Sequence, residues 1–297
     1  MTSARRHGKE LGPVVAGVDG SGSSRAAALW AASEAARRDQ RLRLVYGADL
    51  DRLTRFAMFE TIERLREAGR THLAEAEEAV HERFSGLPVE REFSDKNAVA
   101  ALQTAASPDA TIVVGSRGLG GFPSLLLGSV SLTVAARSLV PVIVVRGQVD
   151  RPDTGVVAAA VRDETDAEWV LRAAAEAALR KAELHLICAW NPLSQVGNMV
   201  TTRGDLSEIT EQGQAKTNDL AAVVRRGYPT LAVTTEANAG TATAAALIEG
   251  SRHADLLVMG ARHRFMGMGS AFGRVGHTVL HHAECPVEIV PQLDEPD

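Results

Sequence analysis

The chain has 297 residues, of which 45% are apolar and 23% charged, and its formal net charge is −5. That length exceeds the usual single-domain size, so two packed domains are expected. The charge balance excludes a general nucleic-acid binder. No apolar run reaches the about 18 residues of a membrane span.

The opening Met1-Thr-Ser-Ala-Arg-Arg-His-Gly-Lys has no apolar centre of the kind a signal peptide carries. The first predicted strand covers 13–18 and runs into Gly17-Val-Asp19-Gly-Ser21-Gly-Ser-Ser24. Asp19 stands at that strand's carboxyl end, where it can accept from a ribose hydroxyl or an adenine amino group. Alternatively, Asp19 or Ser21 caps the helix predicted over 23–38. Further elements follow as strand 41–48, helix 59–84, strand 88–94 and helix 96–106. Strand 110–115 then leads into a glycine loop, with helix 129–138 and strand 141–146 beyond it.

That loop organises the chain. Two residues separate Gly115 from Gly118, nine separate Gly118 from Gly128, Ser129 follows at once, and Ser131 lies two further on. Glycines let backbone N–H groups approach a ligand without a Cβ in the way. Ser129 can cap a helix whose first N–H groups attract phosphate. The pattern reads as an anion site, and its presence favours the ligand reading of Asp19. No Gly-x-x-x-x-Gly-Lys-Ser/Thr sequence exists, which excludes a P-loop NTPase. Gly20-Ser-Gly22-Ser-Ser-Arg25 lacks the third glycine of the dinucleotide fingerprint.

The second half repeats the first. A shift of 142 carries Val14-Val-Ala-Gly-Val18 to Val156-Val-Ala-Ala-Ala160, Leu29 to Leu171 and Glu34 to Glu176. Later the shift is 145 and takes Ile112-Val-Val-Gly115 to Leu257-Val-Met-Gly260. This period is far longer than a solenoid repeat, so it marks a duplicated domain. The joint falls near Gly147 to Thr154, which separates domains 1–148 and 149–297. Strands are predicted at 155–161, 183–190, 230–237, 254–260 and 286–290. Helices are predicted at 165–181, 204–226, 241–251 and 273–282. Short apolar strands alternating with amphipathic helices give an α/β fold with a parallel sheet covered on both faces. Ligands in such sheets sit at strand carboxyl ends where the strand order reverses.

Cys188 and Cys285 have apolar surroundings and read as buried reduced thiols, which points to the cytoplasm. Trp30, Trp169 and Trp190 read as packing residues. His277 and His281 have helical zinc spacing, but nothing completes a Cys/His set, so no metal is expected. No histidine lies in the first half's motif and no catalytic constellation is evident.

Gly115, Gly118, Gly128 and Ser129 in this spacing, joined to Val18-Asp19-Gly20-Ser21 after a first strand, closely resemble the universal stress protein family. The resemblance covers nearly the whole chain as two tandem domains. It implies five-stranded parallel sheets with helices on both faces, Rossmann-like and similar to adenine nucleotide alpha hydrolases. Many members with this motif bind ATP. The resemblance puts Gly17, Val18 and Asp19 around the adenosine, and Val45 or Tyr46 against adenine through backbone groups. Val114, Gly115, Arg117 and Gly118 would line the ribose and phosphates, and Gly128, Ser129, Val130 and Ser131 would hold phosphates. The implied ligand is ATP, with or without Mg.

The second half departs from the pattern, with Val161 at the position of Asp19, His263 at Gly118 and Arg274 at Ser129. Arg262, His263, Arg264 and Arg274 keep its loop basic. About one nucleotide per chain is therefore expected. The implied role is an ATP-dependent binding or signalling module in the stress response. The alternatives are a slow ATP-hydrolysing or phosphate-transferring enzyme and a structural assembly protein. The last strands, Pro141-Val-Ile-Val-Val145 and Pro286-Val-Glu-Ile-Val290, are expected to pair the halves as a pseudo-dimer or to support a homodimer. Glu288 is expected to mark where the second of these strands meets water.

Overall fold

The computed structural model describes residues 11–53, 58–118, 127–147, 152–190, 203–239, 242–262 and 273–292. The chain forms two compact units. The first contains β1 (Val14–Gly17), α1 (Gly22–Arg37), β2 (Leu42–Gly47), a single turn α2 (Leu50–Leu53), and α3 (Phe59–Arg83). It continues with β3 (Val89–Ser94), α4 (Ala98–Ala105), β4 (Thr111–Gly115), α5 (Ser129–Arg137) and β5 (Val142–Val145). All its strand pairs are parallel and run in the order β3-β2-β1-β4-β5.

The second unit has β6 (Val156–Val161), a 3-10 turn at Glu164–Asp166, α6 (Ala167–Arg180), β7 (Glu183–Trp190) and α7 (Arg203–Gly227). After these come β8 (Val233–Ala239), α8 (Thr243–Arg252), β9 (Leu256–Arg262), α9 (Gly273–His282) and β10 (Val287–Gln292). Its parallel strand order, β8-β7-β6-β9-β10, repeats the first unit's.

Continuous apolar runs explain the sheet. β4 is buried over its whole length, and so is β5. Strands buried on both faces have no reason to alternate. Small residues on α1, namely Ala27, Ala28, Ala31, Ala32 and Ala35, are buried, which lets the helix lie close to the strands. In the first unit the chain steps outward from β1 through β2 to β3, then returns to place β4 on β1's other side. That reversal opens a crevice beyond the carboxyl ends of β1 and β4.

At the opposite end of its sheet each unit buries an ion pair on its first crossover helix. Arg38 Nε lies 3.0 Å from Glu34 Oε1, and Arg38 also donates to Thr111 Oγ1 at 2.8 Å and to the Gly12 carbonyl at 3.3 Å. The equivalent pair, by the 142-residue shift, is Arg180 with Glu176. Arg172 extends it, with Nε 2.6 Å from Glu288 Oε1. Glu288 is fully buried. The expectation that it faces water is therefore corrected: its charge is held by Arg172, which the local strand pattern does not contain.

Cys188 and Cys285 are both buried, and burial raises the Cys188 thiol above its ordinary value. Trp169 is buried, whereas the side chain of Trp190 lies outside the described residues. No described helix is long and apolar enough to cross a membrane.

Candidate functional site

The first wall of the crevice is the turn after β1. Ser21 is the N-cap of α1, and its hydroxyl accepts from Ser24 N–H at 3.1 Å. The helix consequently begins at Gly22, and the capping alternative belongs to Ser21. Asp19 does a different job, because its Oδ1 accepts from Ser21 N–H at 2.9 Å. Gly20 takes φ +85°, a left-handed geometry that suits glycine. Gly17 closes β1, and Val18 next to it is buried and donates from its N–H to the Val45 carbonyl at 2.9 Å. Val45 is buried too.

The second wall is the segment after β4. Val114 and Gly115 are buried and pair with Val144 and Val145 of β5. A Cβ on Gly115 would stand 2.6 Å from Ser23 Oγ and 2.7 Å from the Ser23 carbonyl oxygen, so only glycine lets β4 end against the start of α1. Ser23 Oγ accepts from Arg117 N–H at 3.2 Å and ties the two walls together. Gly118 lies against Asp19: a Cβ there would stand 2.5 Å from Asp19 Oδ2. Residues 119–126 of the loop lie outside the described residues. Where the chain is described again, Gly128 donates to the Ser116 carbonyl at 2.7 Å, which brings the start of α5 back to the end of β4.

Here one expectation is corrected. The N-cap of α5 is Gly128, not Ser129, and no side chain caps the helix. Ser129 is its first residue, exposed like Val130. The first-turn N–H groups of Ser129, Val130 and Ser131 have no intrahelical partner, and such an N-terminus favours an anion. The Ser131 hydroxyl is buried and donates to the Gly115 carbonyl at 2.6 Å, so it fastens α5 to β4.

Charge completes the crevice. Arg117 is exposed. Arg146 follows β5, and burial, then the like charge of Arg117, hold its guanidinium below its ordinary value. Tyr46, next to last in β2, stacks on Phe93 at 5.8 Å and lies 6.1 Å from the His72 ring. Burial, then the Asp19 charge, push its phenol above its ordinary value. The thirteen residues singled out by sequence therefore fall at the carboxyl ends of β1, β2 and β4 and in the first turn of α5.

The equivalent place in the second unit is built differently. Arg162 grips Asp166 with its backbone N–H at 2.6 Å and its guanidinium at 2.7 Å. Its Cζ lies 5.1 Å from the centre of the Trp169 ring. Trp169 donates to the Ala160 carbonyl at 2.8 Å and packs on Gly260, the counterpart of Gly115. β9 also runs on through Ala261 and Arg262, paired with Pro291 and Gln292 of β10, where β4 has already ended. Val161, at the position of Asp19, is buried and apolar. Arg274 is described and exposed, whereas His263 and Arg264 lie outside the described residues. The rings of His277 and His281 are 4.4 Å apart, and no group of three or more metal-binding side chains occurs among the described residues.

A sequence model of the universal stress protein family matches residues 11–146 and again residues 155–291. The chain belongs to the universal stress protein family. Universal stress protein Rv2624c of Mycobacterium tuberculosis is 30% identical to it over 282 residues, 93% of this chain and 95% of that protein. Universal stress protein Rv2005c of the same organism is 29% identical over 290 residues, 94% and 97% of the two chains. The crystal structure of a universal stress protein from Archaeoglobus fulgidus matches with a TM-score of 0.70 at 20% identity, over 95% of this chain and 99% of that one. That last likeness is one of fold.

In this universal stress protein two crevice residues escaped the sequence reading. Arg146 was hidden as the last residue of an apolar strand, although a charge directly after Val145 is a usable signal. His72 is 52 residues from Gly20 in sequence, and only the packing of α3 brings it in.

Proposed function

We propose that this universal stress protein binds ATP, with or without Mg, in the crevice of its first unit and acts as a nucleotide-dependent binding or signalling module in the stress response. One observation carries the reading. The Asp19 carboxylate, suited to a ribose, is in contact with Gly118, whose segment is tied through Ser116 to the start of α5, where phosphate is favoured. Arg117, with Arg146 within electrostatic reach of it, supplies positive charge beside that start. On this reading the N-terminal domain, 1–148, holds the nucleotide. The C-terminal domain, 149–297, does not, because it has Val161 at the position of Asp19 and Arg274 at that of Ser129, and its Arg162 is engaged by Asp166. The cytoplasm is the compartment proposed, on the two buried thiols.

The expected stoichiometry is one nucleotide per chain. Mass spectrometry of the purified, then denatured protein should release an adenine nucleotide, and calorimetric titration of the stripped protein should give about one site. Two equivalent sites would overturn the asymmetry. ATP turnover above background that Asp19→Ala removes would mark an enzyme instead of a binding module.

Assembly, as a pseudo-dimer within the chain or as a homodimer, is proposed on the apolar last strands β5 and β10. Charges at Ile143 and Val145 should then lower the mass seen by sedimentation or loosen the fold. A variant that sediments and melts like the parent argues against the proposal.

A further inference from the structure

α3 reaches the crevice because of Gly69. A Cβ there would stand 2.6 Å from Phe93 and 2.7 Å from Tyr46, so a helix-interior glycine, normally unfavourable, permits close contact with β2 and β3. Three residues on, His72 lies on the same side of the helix. Its ring atoms are 2.5–2.7 Å from where a Cβ on Gly20 would stand, and its centre is 6.1 Å from that of Tyr46 at an angle of 31°. The His72 side chain is 29% exposed, and its Nδ1 lies 3.3 Å from Glu75 Oε2. Two rings, both partly open to solvent, thus flank the carboxyl ends of β1 and β2 next to Asp19.

Direction follows from the strand order β2-β1-β4. Neighbouring strands are about 4.8 Å apart, so the ends of β4 and β2 lie about 10 Å from each other. A nucleotide with its phosphates at the β4–α5 end and its ribose at Asp19 on β1 must carry its base toward β2. The rings of Tyr46 and His72 stand there, and aromatic side chains are good partners for a base.

We propose that His72, held over the Gly20 turn by α3, is the base-contacting wall of the site and selects a base-bearing nucleotide over bare polyphosphate. This rests on the proposed ATP site. The test is calorimetry on the full, nucleotide-free chain with ATP and with inorganic tripolyphosphate. His72→Ala should weaken ATP roughly tenfold and leave tripolyphosphate unchanged, while His72→Phe should restore most of the lost affinity. Equal ATP affinity in His72→Ala and the parent would overturn the role of His72 alone. An equal loss for both ligands would also overturn it, by showing general damage to the crevice. A parent chain that binds no ATP would overturn the reading beneath it.

Discussion

Replacing Gly118 with valine is expected to weaken ATP binding by roughly thirtyfold while the first unit stays folded. The Cβ alone would stand 2.5 Å from Asp19 Oδ2, closer than side-chain carbons come, so one partner must move. The glycine segment is pinned, with Arg117 N–H on Ser23 Oγ and Gly128 N–H on the Ser116 carbonyl. The Asp19 carboxylate, at the end of a side chain, is then displaced and its bond to Ser21 N–H breaks. Loss of one charge-assisted hydrogen bond to the ligand costs about 2 kcal/mol. Gly118→Ala carries the same Cβ and should lose nearly as much, which separates this collision from simple filling of space. Calorimetry gives the affinity, and a melt without nucleotide gives the fold. Unchanged affinity would place the nucleotide elsewhere.

Arg38→Ala should strongly destabilise the first unit. The Arg38 and Glu34 side chains are 1% and 0% exposed. Removing Arg38 takes the nearest cation from a buried carboxylate and a donor from Thr111 and the Gly12 carbonyl. Breaking such a pair on one side costs about 3–5 kcal/mol, which for a unit of this size is a fall of roughly 10 °C or more in Tm. Arg37, 3.8 Å from Glu34 and 30% exposed, can return part of that. The double replacement Glu34→Leu with Arg38→Met should cost less than the single one, because no buried charge is left uncompensated. Thermal and urea unfolding of the full chain measure both. A loss below about 1 kcal/mol for Arg38→Ala would mean that the pair contributes little.

The sheet and its alternating helices were legible because their signal is local: apolar runs, glycine spacing and a period that repeats. What failed or stayed hidden depended on distant partners. Gly128 and Ser129 both suit a cap, and the choice was made by the extended backbone of Gly128, ψ 151°, which no composition reveals. Glu288 lies in a strand whose pattern suggests exposure, yet its partner Arg172 comes 116 residues earlier. His72 looks like any polar residue on a long helix until Gly69 lets that helix settle on Tyr46 and Phe93. The asymmetry between the halves was visible as lost motif residues, but not its physical form, in which Trp169 packs on Gly260 where Ser23 packs on Gly115, and Arg162 pairs with Asp166.

The difference between the two units has a thermodynamic consequence. A ligand stabilises only the state that binds it, by about 2.7 kcal/mol at a hundredfold excess over Kd. A nucleotide confined to the first unit raises that unit's resistance to unfolding and leaves the second unit, with Trp169 on Gly260, where its own packing sets it. On the proposed reading one polypeptide would then carry a responder and a fixed reference. If the proposed site is right, falling nucleotide levels would loosen one half only, and proteases would meet that half first.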